Sequence, residues 1–462
     1  MAQTREQWGS KTGFILAAAG SAIGLGNLWK FPFITWDNKG GAFVLVYLVC
    51  IVAVGLPIMM AEILIGRKTQ RSAVGAMKAA VGPAWGFVGG WGVLAGFVIL
   101  GYYAVVAGWT ISYFIKCLGW SMNGFPAGLA LGDTFTGFVA NGPTQILLSA
   151  LFMGATMSII FMGVGKGIER VTRILMPTLL VILLLLLGSA LTMDGAGEAL
   201  SFIFTPRFAE LTMEGWLEAL GHAFFTLSLG MGAMITYGSY LSKKDSVVSS
   251  SATVVILDTA IAIVATVIMF SVIFSVAGMS EQVGKSTAGM LFITLPQLFY
   301  SVVPGGTFLA PLFYVLVGFA ALTSTISLLE VVVAYFIDER GMNRHAATAM
   351  CGGLTFVVTV LCALSLGAWG SLSNFTVFGT KAGLFATLDH IASNWQLPIG
   401  GFLITMAAGW FMTRESTESE LADETVPGWF HYGTWRFLVR YIAPLAVALV
   451  IGAVIFFGKD FS

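Results

Sequence analysis

The sequence predicts an all-α integral membrane protein with about eleven transmembrane helices, and three observations lead to this fold class. Of the 462 residues, 57% are hydrophobic and only 10% are charged, whereas a soluble domain carries about a quarter charged residues. The apolar runs are long enough to cross a bilayer, which takes about 20 helical residues. Two of these runs are interrupted by clustered glycines, which is typical of membrane proteins with a central binding site.

The apolar runs between polar segments define the individual spans. We predict them, in chain order, at 11–37, 41–66, 86–118, 144–163, 168–193, 215–241, 247–278, 307–338, 344–366, 383–412 and 432–457. Most of the 23 lysines and arginines then lie on the side of the N-terminus. By the positive-inside rule we expect a multi-pass protein of the cell membrane, with the N-terminus cytoplasmic and the C-terminus extracellular or periplasmic.

Composition also argues against several other classes of function. The net charge is zero, so no basic patch points to a nucleic-acid partner. The four cysteines, at 50, 117, 351 and 362, lack metal or redox spacing and are predicted to be packing residues. No hydrolase or His-rich metal motif is present, so we expect neither an enzyme nor an organic cofactor. The acidic stretch 415–424 is predicted to be a solvated loop.

Glycine clusters interrupt the first and sixth spans, at 20–27 and at 228–233. Close helix packing through small residues is one explanation. However, glycine also permits unwound backbone, and the two breaks each open a set of five spans. This predicts a single domain over 1–462, built from inverted repeats at 11–193 and 215–412 with an extra helix at 432–457.

Breaks of this kind suit an amino acid that travels with sodium. A half-helix N-terminus offers free N–H groups to a carboxylate, and the opposing half-helix C-terminus offers carbonyl oxygens to a cation. Asn27, Thr226, Thr323 and Ser324 add neutral side-chain oxygens within apolar spans. A proton-driven transporter is less favoured, because protons need a titrating group.

These residues also resemble a known family. The chain is similar to the neurotransmitter:sodium symporters, in particular to the bacterial amino-acid branch that includes LeuT, over nearly its whole length. The matching segments are GSAIGLGNLWKFP (20–32), NKGGAFVLVY (38–47), GYYAVVAGW (101–109), KGIERVTRILMP (166–177), FFTLSLGMGAMITYGSY (224–240), FITLPQLF (292–299), PGGTF (304–308) and ALTSTISLLE (321–330). The resemblance implies the LeuT fold, with eleven spans where LeuT has twelve.

The resemblance further implies two sodium sites and a substrate site. The first sodium site would comprise the substrate carboxylate with Ala22, Asn27, Thr226 and Asp258. The second would comprise Gly20, Ile23, Ala320, Thr323 and Ser324. The substrate would contact Ala22, Leu25, Gly26, Ile99, Tyr103, Phe225, Thr226, Ser228, Met231, Ser324 and Leu328.

Two gates follow from the same resemblance. Arg5 and Asp338 would form the cytoplasmic latch, with Trp8 and Tyr240 nearby. On the outside, Lys30 would pair with Asp389, above a lid formed by Phe225 and Tyr103. Two further expectations are that Glu62 braces the unwound sixth helix, and that the fifth helix partly unwinds between Gly167 and Pro177 in the transport cycle.

Some positions depart from the family pattern. Lys30 replaces an arginine and loses its bidentate fork. His222 replaces a glutamine; it either hydrogen-bonds as the glutamine would or, when protonated, competes with Lys30 for Asp389. Asp258 stands where many relatives have asparagine, while Ala262, one turn later, carries no charge. We therefore expect transport to be independent of chloride, with Asp258 taking up a proton for the return step or staying ionised throughout.

The predicted function is sodium-coupled import of a neutral, hydrophobic or aromatic L-amino acid by alternating access. Gly24 carries no carboxylate, unlike monoamine-transporting relatives, which favours a substrate that brings its own. Glycine or alanine is the alternative substrate. From other classes, a channel and a nontransporting amino-acid sensor remain open. The expected partners are the amino acid, two sodium ions and the lipid bilayer; no oligomeric state is predicted.

Overall fold

The computed structural model describes residues 5–126, 128–276, 287–377, 380–421 and 427–461, and every regular element in these ranges is a helix. The eleven spans, named α1 to α11, are α1 Lys11–Ala22 with Gly26–Asp37, α2 Gly41–Thr69, α3 Pro83–Asn123, α4 Gly142–Phe161, α5 Val164–Leu191, α6 Met213–Thr226 with Ala233–Gly238, α7 Val247–Phe274, α8 Gly306–Arg340, α9 Arg344–Leu364, α10 384–411 and α11 Tyr432–Phe457. Shorter helices in the connections are Ala73–Ala80, Leu131–Val139, Ala196–Phe204, Phe208–Glu210, Thr287–Gly289, Met290–Ser301, Gly370–Ser373 and Arg414–Leu421.

Length and composition support a multi-pass membrane protein. Among the described residues, eight helices are long and apolar enough to cross a membrane, and the two halves of α1 together make a ninth span. The remaining two are the shorter or more polar spans. In α6 the helical pieces have only 14 and 6 residues, and α10 contains Asn394 and Gln396 within its length. The predicted fold class and the approximate number of spans are confirmed.

The two predicted breaks occur where the glycines are. The halves of α1 are bent by 51°, and Ile23 at the break has an extended conformation. In α6 the backbone is left-handed at Ser228, Gly230 and Gly232, with φ of 54°, 81° and 73°. A left-handed φ is easy for glycine and costly for other residues, so the local sequence favours unwinding at this point.

Packing places both breaks in the centre of the molecule. The first half of α1 packs against α5, α7 and α8, and α8 also runs along α3. The outward face of α5 instead carries exposed apolar side chains such as Ile174, Val181 and Leu184. A contiguous apolar surface of this kind suits contact with lipid.

The expectation for the acidic stretch needs correction. The acidic stretch is not simply a solvated loop: Arg414–Leu421 is a helix, and its Glu420 carboxylate lies 3.0 Å from both Arg67 and Lys243. The charges of those two residues hold this helix against α2, while residues 422–426 lie outside the described ranges. In α5 the chain is helical through both Gly167 and Pro177 in this conformation, and unwinding of this helix during the transport cycle stays a prediction. The limits of the two inverted repeats stay a prediction.

Candidate substrate and sodium sites

A small cavity lies between the breaks of α1 and α6 and the middle of α3 and α8. It has a volume of about 50 Å3 and is lined by Ser21, Ala22, Gly24, Leu25, Gly26, Ile99, Tyr103, Phe225, Thr226, Ser228, Met231, Ser324, Ser327 and Leu328. All eleven residues predicted to contact the substrate are in this wall. Ser21 and Ser327 are lining residues that the sequence did not predict, and Gly24 is the position whose missing carboxylate favoured a substrate that brings its own. The hydroxyls of Ser21 and Ser327 are joined by a hydrogen bond of 2.8 Å, and nothing in their spacing singles them out.

One end of the cavity presents polar backbone. The N–H of Leu25 donates to the Tyr103 hydroxyl at 3.2 Å, and the N–H of Gly24 donates to Oδ1 of Asn27 at 3.1 Å. The second half of α1 starts directly afterwards, at Gly26. A helix N-terminus carries partial positive charge and free N–H groups, so this end can bind a carboxylate.

The other end is apolar and tightly packed. Ile99, Met231 and Leu328 are buried around it. This end can therefore enclose an uncharged side chain, and none of the described residues in its wall carries a charge that could pair with a charged one.

A buried carboxylate lies beside the cavity. Asp258 of α7 and Asn27 of α1 are both fully inaccessible. Asp258 accepts hydrogen bonds from the Asn27 amide at 2.8 Å and from the Thr226 hydroxyl at 3.2 Å. In the described part of the chain, no lysine, arginine or histidine nitrogen lies within 4.0 Å of this carboxylate. A buried charge is unfavourable without a partner, and the neutral oxygens around it fit a hard cation such as sodium.

The second predicted sodium site lies where α1 meets α8. The hydroxyls of Thr323 and Ser324 both donate to the Ala320 carbonyl, at 3.0 and 3.1 Å. A Cβ atom on Gly20 would lie only 3.0 Å from the Thr323 Cβ, so glycine permits this approach. Ile23 lies at the break, as expected. The structure thus brings Gly20 against Thr323 where α1 crosses α8, and the role of the five residues as ligands stays a prediction.

A latch closes the end of the molecule near the first described residues. Arg5 forms an ion pair with Asp338 and donates to the Ser239 hydroxyl at 2.5 Å. Its guanidinium also lies 4.8 Å from the centroid of the Tyr240 ring. Trp8 donates from Nε1 to the Tyr237 carbonyl at 3.0 Å. All four predicted latch residues, Arg5, Trp8, Tyr240 and Asp338, therefore take part in one cluster.

This latch continues into a buried ion pair between Glu330 and Arg344. The Tyr240 hydroxyl donates to Glu330 at 2.7 Å, and Arg344 lies 2.8 Å from the same carboxylate. Glu330 is fully buried. Only the fold could show the partner, because Arg344 lies on the next helix.

The outer pair differs from the expectation. Within the described residues, Lys30 and Asp389 do not form an ion pair, since no such contact lies within 4.0 Å. The Lys30 ammonium instead donates to the Phe461 carbonyl and lies 4.9 Å from the centroid of the Phe225 ring. Asp389 accepts from the Ser393 hydroxyl at 3.2 Å. The Lys30 ammonium is bonded to a backbone oxygen, so the predicted ion pair between Lys30 and Asp389 is wrong for this conformation.

A second, larger cavity of about 230 Å3 lies beyond Phe225. Phe225 belongs to the walls of both cavities. His222 also lines the larger one, stacked on Phe31 with ring centroids 5.4 Å apart. Among the described residues its two ring nitrogens have no hydrogen-bond partner, so neither expected role of His222 is seen in this conformation.

Glu62 lies against the break of α6. Its carboxylate is fully buried and accepts from the Gly230 N–H at 2.7 Å. An unwound segment leaves backbone N–H groups without helical partners, and burying such a group unpaired is costly. Glu62 therefore supports the break in the way the resemblance implied.

Comparison with known proteins agrees with this architecture. The chain matches the model of the sodium:neurotransmitter symporter family over residues 5–123 and 129–459. It is 37% identical to the uncharacterized sodium-dependent transporter YhdH of Bacillus subtilis, covering 96% of each chain. It is 30% identical to an uncharacterized sodium-dependent transporter of Methanocaldococcus jannaschii, covering 97% of this chain and 90% of the relative.

A solved structure shows the same fold. The crystal structure of MhsT in complex with L-phenylalanine superposes with a TM-score of 0.87 at 40% identity, covering 97% of this chain and 99% of the other. Family and fold are those of transporters. The chain described here belongs to the sodium:neurotransmitter symporter family.

Proposed function

We propose that this protein is a sodium-coupled symporter that imports a neutral, hydrophobic or aromatic L-amino acid into the cell, with its N-terminus in the cytoplasm. The observation that carries the proposal is the cavity between the two helix breaks. One end has backbone N–H groups and the Tyr103 hydroxyl, the other end is apolar, and the Asp258 carboxylate lies alongside. The polar end suits the carboxylate of such a substrate, the apolar end suits its side chain, and Asp258 suits the accompanying cation.

Sodium would be held by oxygen atoms at two places. Ala22, Asn27, Thr226 and Asp258 would bind one ion together with the substrate carboxylate. Gly20, Ile23, Ala320, Thr323 and Ser324 would bind the other. Because the substrate completes the first site, sodium and substrate should each raise the other's affinity by the same factor. Moving one positive charge inward is worth about 2.3 kcal/mol per 100 mV, which can drive concentration of the substrate.

The apolar end of the cavity supports the choice of substrate class. Ile99, Met231 and Leu328 supply hydrocarbon and thioether surface, and methionine adapts to ligands of different shape. The related MhsT was solved with L-phenylalanine. A charged side chain would lose its hydration at this end without gaining a partner.

Glycine or alanine is the second candidate, and the cavity volume favours it. About 50 Å3 is little space for an aromatic side chain unless the Phe225 and Tyr103 rings turn aside. A larger substrate therefore requires those rings to move on binding.

Independence of chloride is part of the proposal. Two sodium ions at the centre of the membrane need nearby negative charge, and a zwitterionic substrate adds none in net terms. Asp258 supplies that charge within the site, hydrogen-bonded to Asn27 and Thr226. The uptake of a proton on the return step rests on this same carboxylate and stays a prediction.

Uptake into liposomes tests the proposal against a channel and a nontransporting sensor. Purified protein in liposomes should accumulate L-phenylalanine above its external concentration when sodium is outside, and not when potassium replaces it. A channel would only equalise the concentrations, and a sensor would bind without uptake. Thr226→Val removes one predicted sodium ligand and should weaken the sodium dependence, whereas Thr226→Ser keeps the oxygen and serves as the matched control.

A thermal-shift screen of the twenty amino acids, with sodium or potassium, identifies the substrate. A ligand at 100 times its Kd stabilises the folded state by about 2.7 kcal/mol. We expect stabilisation by hydrophobic or aromatic L-amino acids in sodium only. Preferential stabilisation by lysine, glutamate or a decarboxylated amine would contradict the proposed substrate class.

A further inference from the structure

Residues 459–461 turn back into the larger cavity after α11 ends. The helix stops at Gly458, whose left-handed backbone has a φ of 61°. The N–H of Lys459 then bonds to the Ala453 carbonyl at 3.3 Å. Asp460 and Phe461 form part of the cavity wall. We name these three residues the tail segment.

Polar contacts attach the tail segment to α10. The Asn394 amide donates to Asp460 at 2.8 Å and accepts from the Phe461 N–H at 2.7 Å. His390 lies 3.3 Å from the same Asp460 carboxylate, and Lys381, just before α10, lies 3.4 Å from it. A side-chain amide that both donates to and accepts from one short segment fixes its position as well as its orientation.

Further contacts attach the tail segment to α1 and α6. The Phe461 carbonyl accepts from the Lys30 ammonium, and the Lys459 ammonium lies 2.5 Å from Glu214. The Phe461 ring lies close to α6, because a Cβ atom on Gly221 would be 3.1 Å from it. The tail segment thus joins the outer halves of the two broken helices to α10.

The position of the tail segment relative to the substrate cavity gives these contacts a role. Among the described residues, Phe225 is the one shared by the walls of both cavities, and the Arg5 latch lies at the opposite end of α1. The larger cavity is therefore on the side from which the substrate reaches the Phe225 lid. Alternating access requires the broken helices to move relative to the rest of the bundle, and the tail segment spans the parts that must separate.

We propose that the tail segment is an outer latch of the transporter, which holds α1 and α6 against α10 and must leave the larger cavity before the substrate can reach Phe225. Lys459, Asp460 and Phe461 are positioning residues in this scheme. In this conformation Lys30 binds the Phe461 carbonyl in place of a partner on α10. The inference deepens the proposed function, because it concerns access to the same substrate site.

Thiol labelling in detergent tests the latch without requiring a substrate. A reporter cysteine at Leu220, in the wall of the larger cavity, is placed in a Cys50→Ala background, since the other three cysteines are buried. A charged, membrane-impermeant thiol reagent is then added in sodium. Phe461→Ala and Asp460→Ala should each raise the labelling rate about fivefold, the factor expected for loss of one net hydrogen bond or a comparable contact.

Two further variants separate the latch from general damage. Phe457→Ala removes an aromatic ring from the exposed end of α11, outside the cavity wall, and should leave the labelling rate unchanged. Gly221→Val leaves the tail sequence intact but crowds the Phe461 ring, so it should also raise the rate. Equal labelling of the parent, Phe461→Ala, Asp460→Ala and Gly221→Val would overturn the proposal.

The outcome is distinguishable from failure of the proposed function. If the parent protein does not accumulate any amino acid but the labelling differences appear, the latch stands and the substrate assignment fails. If sodium-driven uptake is intact but labelling is the same in all variants, the latch is wrong and the transport function stands.

Discussion

The Asn27 amide donates a hydrogen bond of 2.8 Å to the Asp258 carboxylate, which joins the break of α1 directly to α7. Oδ1 of the same Asn27 accepts from the Gly24 N–H. Asn27 therefore links the backbone of the substrate cavity to the buried charge beside it. A cation bound at Asp258 would act on the conformation of the break through this one side chain, which gives a physical route for coupling between sodium and substrate.

Asp258→Asn tests the source of negative charge at the proposed sodium site. The substitution keeps the shape of the side chain but removes its charge, so sodium binding should weaken and uptake should be lost or should come to require chloride. Uptake is measured in chloride and in gluconate. The unmutated protein is the control and should work equally in both; strong chloride dependence in the unmutated protein would remove the argument.

Gly24→Ala tests the assignment of the small cavity to the substrate. The added Cβ would lie 2.8 Å from the Ser324 hydroxyl and 3.1 Å from the Tyr103 hydroxyl, so the cavity loses space near its polar end. Overpacking of this kind costs about 1–3 kcal/mol, and affinity for L-phenylalanine should fall about tenfold while that for alanine falls less. Competition binding in sodium measures both. Equal loss for the two amino acids would point to general damage of the site.

Features of this fold that depend on neighbouring residues can be predicted from the sequence, whereas contacts between residues far apart in the chain cannot. The breaks at 20–27 and 228–233 follow from local composition, because glycine alone favours unwound backbone there. The cavity lining follows from the resemblance to a family with the same spacing of motifs. The partner of Lys30 could not be predicted from the sequence. The Phe461 carbonyl belongs to a segment more than 400 residues away in the chain, and because every residue has a backbone carbonyl, nothing in the sequence marks this one.

Glu420 is a second residue whose partners could not be predicted from the sequence. Its acidic neighbourhood predicts a solvated surface, and charged residues near a helix end usually are solvated. The structure instead places its carboxylate against Arg67 and Lys243. Charge complementarity between distant segments becomes visible only when the fold brings them together.

Glu62→Ala tests the support of the α6 break. Removing the carboxylate leaves the buried Gly230 N–H without its acceptor, which costs about 1–3 kcal/mol. We expect a lower Tm and weaker substrate binding, because Ser228 and Met231 lie in the same unwound segment. Glu62→Gln keeps an acceptor oxygen at the same position and is the matched control. If both variants lose Tm equally, the hydrogen bond to Gly230 is not what supports the break.

Arg5→Ala tests the cytoplasmic latch. Arg5 binds Asp338 and the Ser239 hydroxyl and lies over the Tyr240 ring, so its truncation removes these three contacts from the closed state. Hydrogen bonds to charged groups contribute about 1.5–3 kcal/mol each, enough to shift the population toward a state open to the cytoplasm. Ligands that need the closed state then bind more weakly, in proportion to its remaining population.

The measurements are hydrogen exchange and sodium affinity. Exchange of the backbone amides in 8–20 should become faster in Arg5→Ala, and the apparent affinity for sodium should fall about tenfold, the change that a shift of about 1.4 kcal/mol produces. Arg5→Lys keeps the charge but loses the fork that reaches two partners at once, so its effect should be intermediate. Unchanged exchange together with unchanged sodium affinity in Arg5→Ala would show that Trp8, Glu330 and Arg344 close this end without Arg5.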